Sequence, residues 1–354
     1  MQIRCSLANR SLANRSFANK QPVFLCWLLV LTLWITGCSD SPSANFHTYS
    51  GPTMGTWYNV KVQEIPKQLT DADVQSRIQQ VLENINQLMS TYVEDSELSR
   101  FNRHPVNQPM TLSPETLAVM RISQQVFRES GGVFDITVGP LVNLWGFGPQ
   151  GNNQVPGDEQ IRQALNSIGS QQVELAESSA TKLAPRTLDL SAVAKGYAVD
   201  KVAQGLEELG ITRYMVDVGG EVKVGDKKLS GEPWKIAIEE PITFERVIQR
   251  VLTLQSVAVA TSGDYRNFFE QDGKRYSHTI DPRTGAPVEH NLASVTVIHQ
   301  SCAFADAYAT AITVLGPEEG LAFAERLNLA VYLLVKQGDG FTALQTDAFS
   351  AYVE

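Results

Sequence analysis

Cysteine and histidine are both scarce in this sequence of 354 residues, which contains four cysteines and five histidines. The histidines show no HxxxH spacing and no grouping with cysteine, which argues against a zinc site. The chain also has no GxSxG motif, no GxxxxGK[ST] motif and no GxGxxG motif after a strand. The sequence therefore does not support a hydrolase elbow, a P-loop or a Rossmann dinucleotide site.

Basic charge is also in short supply. The formal net charge is −9 at pH 7, which argues against a nucleic-acid partner. With 43% hydrophobic and 19% charged residues, the composition is that of an ordinary globular protein. It predicts one large domain or two closely packed ones.

The N-terminus differs from the rest of the chain in charge and hydropathy. Basic side chains without any acidic ones precede an almost continuously apolar run from Val23 to Ile35. Because this run is shorter than the ~20 residues that a membrane-spanning helix needs, we interpret the segment as a secretory signal. The segment Ile35-Thr36-Gly37-Cys38 then resembles a bacterial lipobox, in which the cysteine is lipidated and becomes the mature N-terminus. A chance cysteine behind an uncleaved anchor is the alternative.

These features predict three segments: a lipoprotein signal peptide over residues 1–37, a lipidated N-terminus and tether over 38–47, and an exported domain over 48–354. The protein is expected in the bacterial cell envelope, held to the membrane by lipid on Cys38 and facing the periplasm. Cleavage would remove four basic side chains and take the formal charge from −9 to −13. It would leave Cys302 as the only thiol. The role that we expect for Cys302 is that of a small buried hydrophobic residue, not that of a nucleophile.

Hydrophobic periodicity predicts an α+β fold with mixed or antiparallel sheets and packed helices. A helix is expected from Thr70, where Asp73 completes a capping box, and another from Ser113, where proline follows the cap. Residues 96–102 are predicted to form a loop. Strands dominate the second half without regular βαβ alternation, which favours α+β over a doubly wound α/β fold.

The most informative stretch is 187–200, which predicts a buried strand running into a helix with Ser191 at the N-cap. The first turn of such a helix attracts phosphate, and Lys195 lies about one turn into it. Gly196 allows close approach of a ligand or of another backbone. Taken alone, the stretch is also consistent with a purely structural strand-to-helix turn.

Asp306 and Thr310 form a second candidate site, on an alanine-rich helix. Their spacing of four places them on one face. A carboxylate in an apolar helix requires a partner, and Mg²⁺ coordinated by oxygen atoms is one solution. A salt bridge to arginine, or capping of a neighbouring loop, is the structural alternative.

Three more residues are candidates with open alternatives. Tyr92, just beyond the first helix, is suited either to stack on a ligand ring or to cover the core. His278, at a strand end, is suited to act as a general base or to have only a structural role. The segment 132–148 combines glycines, aromatics and the acidic residue Asp135 without either simple period, which is typical of a pocket lining.

Taken together, these segments resemble the ApbE family of FAD:protein FMN transferases, and their order matches throughout the predicted mature chain. The motifs are Met54-Gly55-Thr56, Met89-Ser90-Thr91-Tyr92, Gly132 to Pro140, Asp189 to Tyr197, Asp217-Val218-Gly219-Gly220, Ser277 to Gly285 and Asp306 to Thr310.

The resemblance implies an ApbE-like, T-fold-related architecture and a lipoprotein that splits FAD with Mg²⁺. It would transfer FMN to a Thr or Ser hydroxyl of a membrane flavoprotein and release AMP. The implied acceptors are proteins such as subunits of the sodium-pumping NADH:quinone oxidoreductase or of the Rnf complex. The implied FAD contacts are Met54, Tyr92, Val133, Phe134, Asp135, Asp189, Lys195 and Ile280. The implied metal ligands are the Ala192 carbonyl, Asp306 and Thr310.

His278 is the candidate base for the acceptor hydroxyl, with Asp135 as the second candidate. Two other functions remain open at this point: hydrolysis of FAD to FMN and AMP, and a flavin-binding lipoprotein without enzymatic activity. The second would need no metal, and Asp306 and Thr310 argue against it.

Overall fold

The computed structural model describes residues 45–149, 154–242, 247–263 and 268–353. The predicted signal peptide, Cys38 and most of the predicted tether lie outside these residues, so these three features stay predictions. Among the described residues, no helix combines the length and the hydropathy needed to cross a membrane.

The described part of the chain alternates strands with helices, without a repeating βαβ unit. The strands are β1 His47–Thr53, β2 Thr56–Gln63, β3 Met110–Thr111, β4 Val173–Leu175, β5 Ser179–Lys182, β6 Arg213–Val218, β7 Glu221–Val224, β8 Trp234–Glu239, β9 Ile248–Leu254, β10 Val257–Gly263, β11 Phe268–Gln271, β12 Lys274–Ser277, β13 Ile280–Asp281, β14 Ala286–Pro287, β15 Leu292–His299, β16 Ala330–Gln337 and β17 Gly340–Gln345. The helices are α1 Asp71–Met89, α2 Glu97–Arg103, α3 Pro114–Glu129, α4 Gly139–Leu144, α5 Asp158–Leu165, α6 Ser191–Glu208, α7 Cys302–Leu315 and α8 Pro317–Arg326, with short 3₁₀ helices at Ser170–Gln172 and Asp347–Tyr352.

The central element is an eight-stranded sheet in the order β1-β2-β6-β7-β10-β15-β16-β17. Its neighbouring strands pair antiparallel throughout. Alternation along β16 shows how both faces are covered: Val331 and Leu333 pack on the helical side with α1, α6 and α7, whereas Tyr332 and Leu334 pack on the side of β8 and β9. The predicted α+β class with antiparallel sheets is confirmed.

The helix starts follow the predicted caps in the first half of the chain. The Thr70 and Asp73 side chains each accept a bond from the other residue's backbone N–H, which completes the capping box of α1. Ser113 caps α3 by accepting from the Thr116 N–H. The predicted loop over 96–102 is wrong, because Ser96 accepts from the Ser99 N–H and starts α2 there.

The predicted strand at 187–190 is also wrong, although Leu188 and Leu190 are fully buried as expected. The Asn102 side chain takes the place of a neighbouring strand. Its amide donates to the Leu188 carbonyl at 2.9 Å, and its carbonyl oxygen accepts from the Leu188 N–H at 2.8 Å. The Asp189 N–H donates to the Ile136 carbonyl at 2.7 Å. The segment is therefore extended and buried, but it is tied to a helix and a loop instead of a sheet.

Candidate functional site

A cavity of about 1040 Å³ opens beside the β1–β2 and β6–β7 turns. The first turn of α6, the middle of α7, the loop after α3, the strands β8 and β10 and the segment around His278 also line it. All twelve residues predicted for flavin binding, catalysis or the metal line it: Met54, Tyr92, Val133, Phe134, Asp135, Asp189, Ala192, Lys195, His278, Ile280, Asp306 and Thr310. The fold brings these residues together, and their individual roles stay predictions.

Helices α6 and α7 cross at Gly196, where their backbones are in contact. A Cβ atom on this residue would lie 2.4 Å from the Cys302 carbonyl oxygen and 2.9 Å from the Ala303 Cα. A larger residue would therefore push the helices apart. At the same crossing, the Gly196 N–H donates to Oδ2 of Asp306 at 3.0 Å, so the predicted phosphate-binding turn and the predicted metal carboxylate are in direct contact.

Asp200 fixes the start of α7 relative to α6. One of its carboxylate oxygens accepts from the Ala303 N–H at 3.1 Å and from the Ser301 hydroxyl at 2.7 Å. Its other oxygen accepts from Lys223 at 2.7 Å. Because α7 carries Asp306, this network determines where that carboxylate lies in the cavity wall.

The predicted metal ligands have properties that suit a hard cation. The Asp306 side chain is buried, and Thr310 stands one turn further along the same face of α7. In a regular α-helix the Gly196 N–H would donate to the Ala192 carbonyl, and its bond to Asp306 competes with that interaction. A carboxylate, a hydroxyl and a carbonyl oxygen with spare acceptor capacity are ligands that Mg²⁺ accepts, with phosphate oxygens and water completing the shell.

Two carboxylates, those of Glu221 and Asp306, act on the charge of Lys195. Its Nζ forms an ion pair with Oε1 of Glu221. Burial alone would lower the pKa of Lys195, but the charges of Glu221 and Asp306 outweigh burial and raise that pKa above its ordinary value. The ammonium therefore stays charged, as binding to a phosphate requires. The charge of Lys195 acts on Asp306, and within the described residues neither predicted alternative, an arginine partner or loop capping, is seen.

Sequence reasoning missed Glu221, which lines the cavity with a side chain that is 3% exposed. Burial raises the pKa of Glu221, and burial likewise raises that of Asp306. The available signal was an acidic residue directly after Gly219-Gly220, at the first position of β7. Its pairing with Lys195 depends on how β7 packs beside α6, which no local pattern shows.

The first turn of α6 differs in detail from the prediction. Ser191 is the first helical residue, and Leu190 occupies the N-cap without a side-chain cap. Oδ1 of Asp189 accepts from the Ser191 N–H at 2.8 Å and so takes the capping role. The Asp189 carboxylate offsets part of the positive helix end, so the helix end attracts a phosphate less strongly than the sequence predicts.

Asp135 organises the loop that forms the opposite wall. Its Oδ1 accepts from the Thr137 N–H at 2.8 Å, the Thr137 hydroxyl at 2.6 Å and the Ser170 hydroxyl at 2.5 Å, and its Oδ2 accepts from the Ser170 N–H at 3.2 Å. These four hydrogen bonds tie both oxygens of the Asp135 carboxylate to its own loop and to Ser170. The geometry therefore favours His278 over Asp135 as the candidate base.

His278 lies between β12 and β13, at a strand end as predicted. Its ring stands edge-on to that of Phe147, with 6.3 Å between ring centroids. The neighbouring Ile280 packs against Leu141 and Trp145. The Trp145 indole N–H donates to the Gly285 carbonyl at 2.7 Å, so α4 and its following residues hold the His278 segment in place.

Two exposed aromatic rings belong to the cavity lining. Tyr92 is 69% exposed and Trp57 is 68% exposed, which excludes the alternative that Tyr92 covers the core and leaves it available for stacking. Met54 occupies the β1–β2 turn with φ of 48°, followed by Gly55 at 72°. A non-glycine residue in this left-handed region stores strain, which is common at ligand sites.

Comparisons with known proteins agree with this arrangement. The model of the ApbE family matches residues 54–333. The chain is 43% identical over 331 residues to a Vibrio cholerae protein named FAD:protein FMN transferase, covering 92% of this chain and 98% of that protein. Among solved structures, the flavin transferase ApbE from Vibrio cholerae is 42% identical, with a TM-score of 0.82 over 88% of this chain and 100% of that one. The apo form of the Pseudomonas stutzeri flavinyl transferase ApbE is 40% identical, with a TM-score of 0.81 over 87% of this chain and 97% of that one.

Proposed function

Since this chain belongs to the ApbE family and is an FAD:protein FMN transferase, we propose that it cleaves the diphosphate of FAD with Mg²⁺ and attaches FMN to a Thr or Ser hydroxyl of an acceptor protein. AMP is the leaving group. The observation that supports this proposal is the contact between α6 and α7. Through the Gly196–Asp306 bond, Lys195, the proposed phosphate ligand, and Asp306, the proposed cation ligand, share one cavity wall.

Each residue has a distinct task in the proposed reaction. Lys195 binds the diphosphate, Tyr92 stacks on a ring of FAD, and His278 accepts the proton of the acceptor hydroxyl. The hydroxyl oxygen bonds to the phosphorus of the FMN moiety while the bond from that phosphorus to the AMP oxygen breaks. The Ala192 carbonyl, Asp306 and Thr310 would hold Mg²⁺, which would neutralise the charge that develops on the oxygen of the departing AMP.

The decisive experiment incubates the purified protein with FAD and Mg²⁺, with and without a flavoprotein acceptor. We expect AMP by chromatography and an FMN adduct on the acceptor by mass spectrometry, and neither product after chelation of the metal. AMP and free FMN without any adduct, despite a suitable acceptor, would identify a hydrolase. FAD that stays intact would indicate a binding protein and contradict the proposal.

We expect replacement of His278 with Gln to lower kcat for FMN transfer by about a hundredfold or more, the usual contribution of a general base. The affinity for FAD should stay within about twofold of wild type, because the proposed role of His278 is toward the acceptor hydroxyl. Single-turnover transfer rates and FAD titrations measure the two effects separately. Equal losses in kcat and in FAD affinity would show that His278 binds the flavin instead.

The proposal extends to location and partners. We propose that the chain is exported, lipidated at Cys38 and held at the membrane on the periplasmic side, where subunits of a sodium-pumping NADH:quinone oxidoreductase or an Rnf complex would serve as acceptors. The apolar run before a lipobox-like cysteine supports this. A lipid-modified N-terminal peptide beginning at Cys38, found by mass spectrometry of the membrane fraction, would be the expected observation.

A further inference from the structure

Glu221 is a buried charged group to which the proposed reaction assigns no task. Its side chain is 3% exposed, and only Oε1 is engaged, by the Lys195 ammonium. Oε2 is buried and has no hydrogen-bond partner among the described residues, although Glu221 lines the cavity. A buried carboxylate oxygen without a partner is costly, so its retention at a ligand cavity calls for a functional reason.

The charges in this wall do not balance. Burial raises the pKa of Glu221 to about 8, so the count applies where all three groups are ionised. Lys195 then contributes one positive charge, whereas Glu221 and Asp306 contribute two negative charges that both act on it. One ammonium can satisfy one of these carboxylates, so the wall is left with an excess of one negative charge. Without a cation, this excess negative charge repels the FAD diphosphate. A divalent cation bound in the wall attracts the diphosphate instead.

We propose that Glu221 is a positioning residue that holds the Lys195 ammonium at the cavity and, together with Asp306, makes binding of the FAD diphosphate depend on simultaneous binding of the cation. This inference rests on the proposed function and adds a residue and a property to it. Without Glu221, Lys195 would meet the diphosphate as a free cation, and FAD would bind without metal. With Glu221, attraction for the FAD diphosphate outweighs repulsion only when the cation is bound as well.

The test measures FAD affinity of the folded protein through flavin fluorescence, once with Mg²⁺ and once with EDTA. Readings are taken by rapid mixing, and chromatography of the same samples verifies that FAD stays intact. The quantity of interest is the ratio of the dissociation constant without metal to that with metal. This ratio reports coupling between the two ligands and does not require turnover.

Glu221→Gln keeps the shape of the side chain and an oxygen for Lys195, but removes the charge. We expect FAD to bind this variant roughly tenfold more tightly in EDTA than it binds wild type, and the ratio to fall by about the same factor, as expected for one charge acting over a few ångströms in a protein site. Glu221→Asp keeps the charge and should keep a ratio closer to wild type. Glu289→Gln is the matched control, because Glu289 also pairs with a lysine, Lys274, but on the exposed surface outside the cavity.

An unchanged ratio in Glu221→Gln would overturn the inference. If this variant does not fold, the pair is removed together in Lys195→Met/Glu221→Gln and compared with Lys195→Met alone, where the same tenfold drop in the ratio is expected and equal ratios would again overturn it. A wild-type protein whose FAD affinity ignores Mg²⁺ would instead contradict the proposed metal-dependent function itself. The two failures are therefore distinguishable.

Discussion

Replacement of Asp306 with alanine should abolish FMN transfer while the protein stays folded. The carboxylate is the only charged group among the proposed metal ligands, and a catalytic cation supplies several kcal/mol of transition-state stabilisation, so a loss of about a thousandfold or more in kcat is expected. The fold should survive because the Gly196 N–H, which now donates to Asp306, can return to the Ala192 carbonyl within α6. AMP release and adduct formation measure activity, and thermal melting measures folding.

Asp306→Asn sharpens the same test, since asparagine retains an acceptor for the Gly196 N–H but carries no charge. Helix α7 also offers a matched pair of threonines. Thr310→Val should raise the Mg²⁺ concentration needed for half-maximal activity, whereas Thr313→Val should not, because the Thr313 hydroxyl donates to the Ala309 carbonyl within the helix. Unimpaired Mg²⁺-dependent turnover in the Asp306 variants would remove the basis for the metal assignment.

The second large effect is expected at the helix crossing. Gly196→Ala places a methyl group 2.4 Å from the Cys302 carbonyl oxygen, a backbone atom that cannot rotate away. The helices must separate, which we expect to lower the free energy of unfolding by about 3 kcal/mol, at the upper end for overpacking. Because the shift moves Lys195 relative to Asp306, kcat should also fall by about a hundredfold.

Gly205 in the same helix provides the control. A Cβ atom at Gly205 would meet side-chain atoms of Arg77 at 3.0 Å and of Val81 at 3.6 Å. Because the arginine side chain can adjust, Gly205→Ala should be neutral or stabilising by up to about 1 kcal/mol through helix propensity. Urea unfolding of both variants measures the difference. Similar stabilities for the two would show that the close crossing at Gly196 is not needed for the fold.

Sequence reasoning succeeded where a feature depends on neighbours in the chain. The capping box at Thr70 and the cap at Ser113 followed from residues within one helical turn. The glycine-rich segment 132–148 was correctly predicted to line a pocket. The strand at 187–190 was predicted wrongly because its hydrogen-bond partner is not a neighbour in the chain. Its apolar pattern is genuine, but the partner is the distant residue Asn102.

The amino-acid sequence alone therefore determined the α+β class, the helix and strand periods, and the set of chemical groups available for a flavin and a cation. Only the tertiary structure decided which of these groups face one another. It paired Lys195 with Glu221 and placed Gly196 against Asp306. The physical reason is range: hydrophobic period and capping act within a few residues, whereas a buried carboxylate acquires its partner only when separate elements pack together.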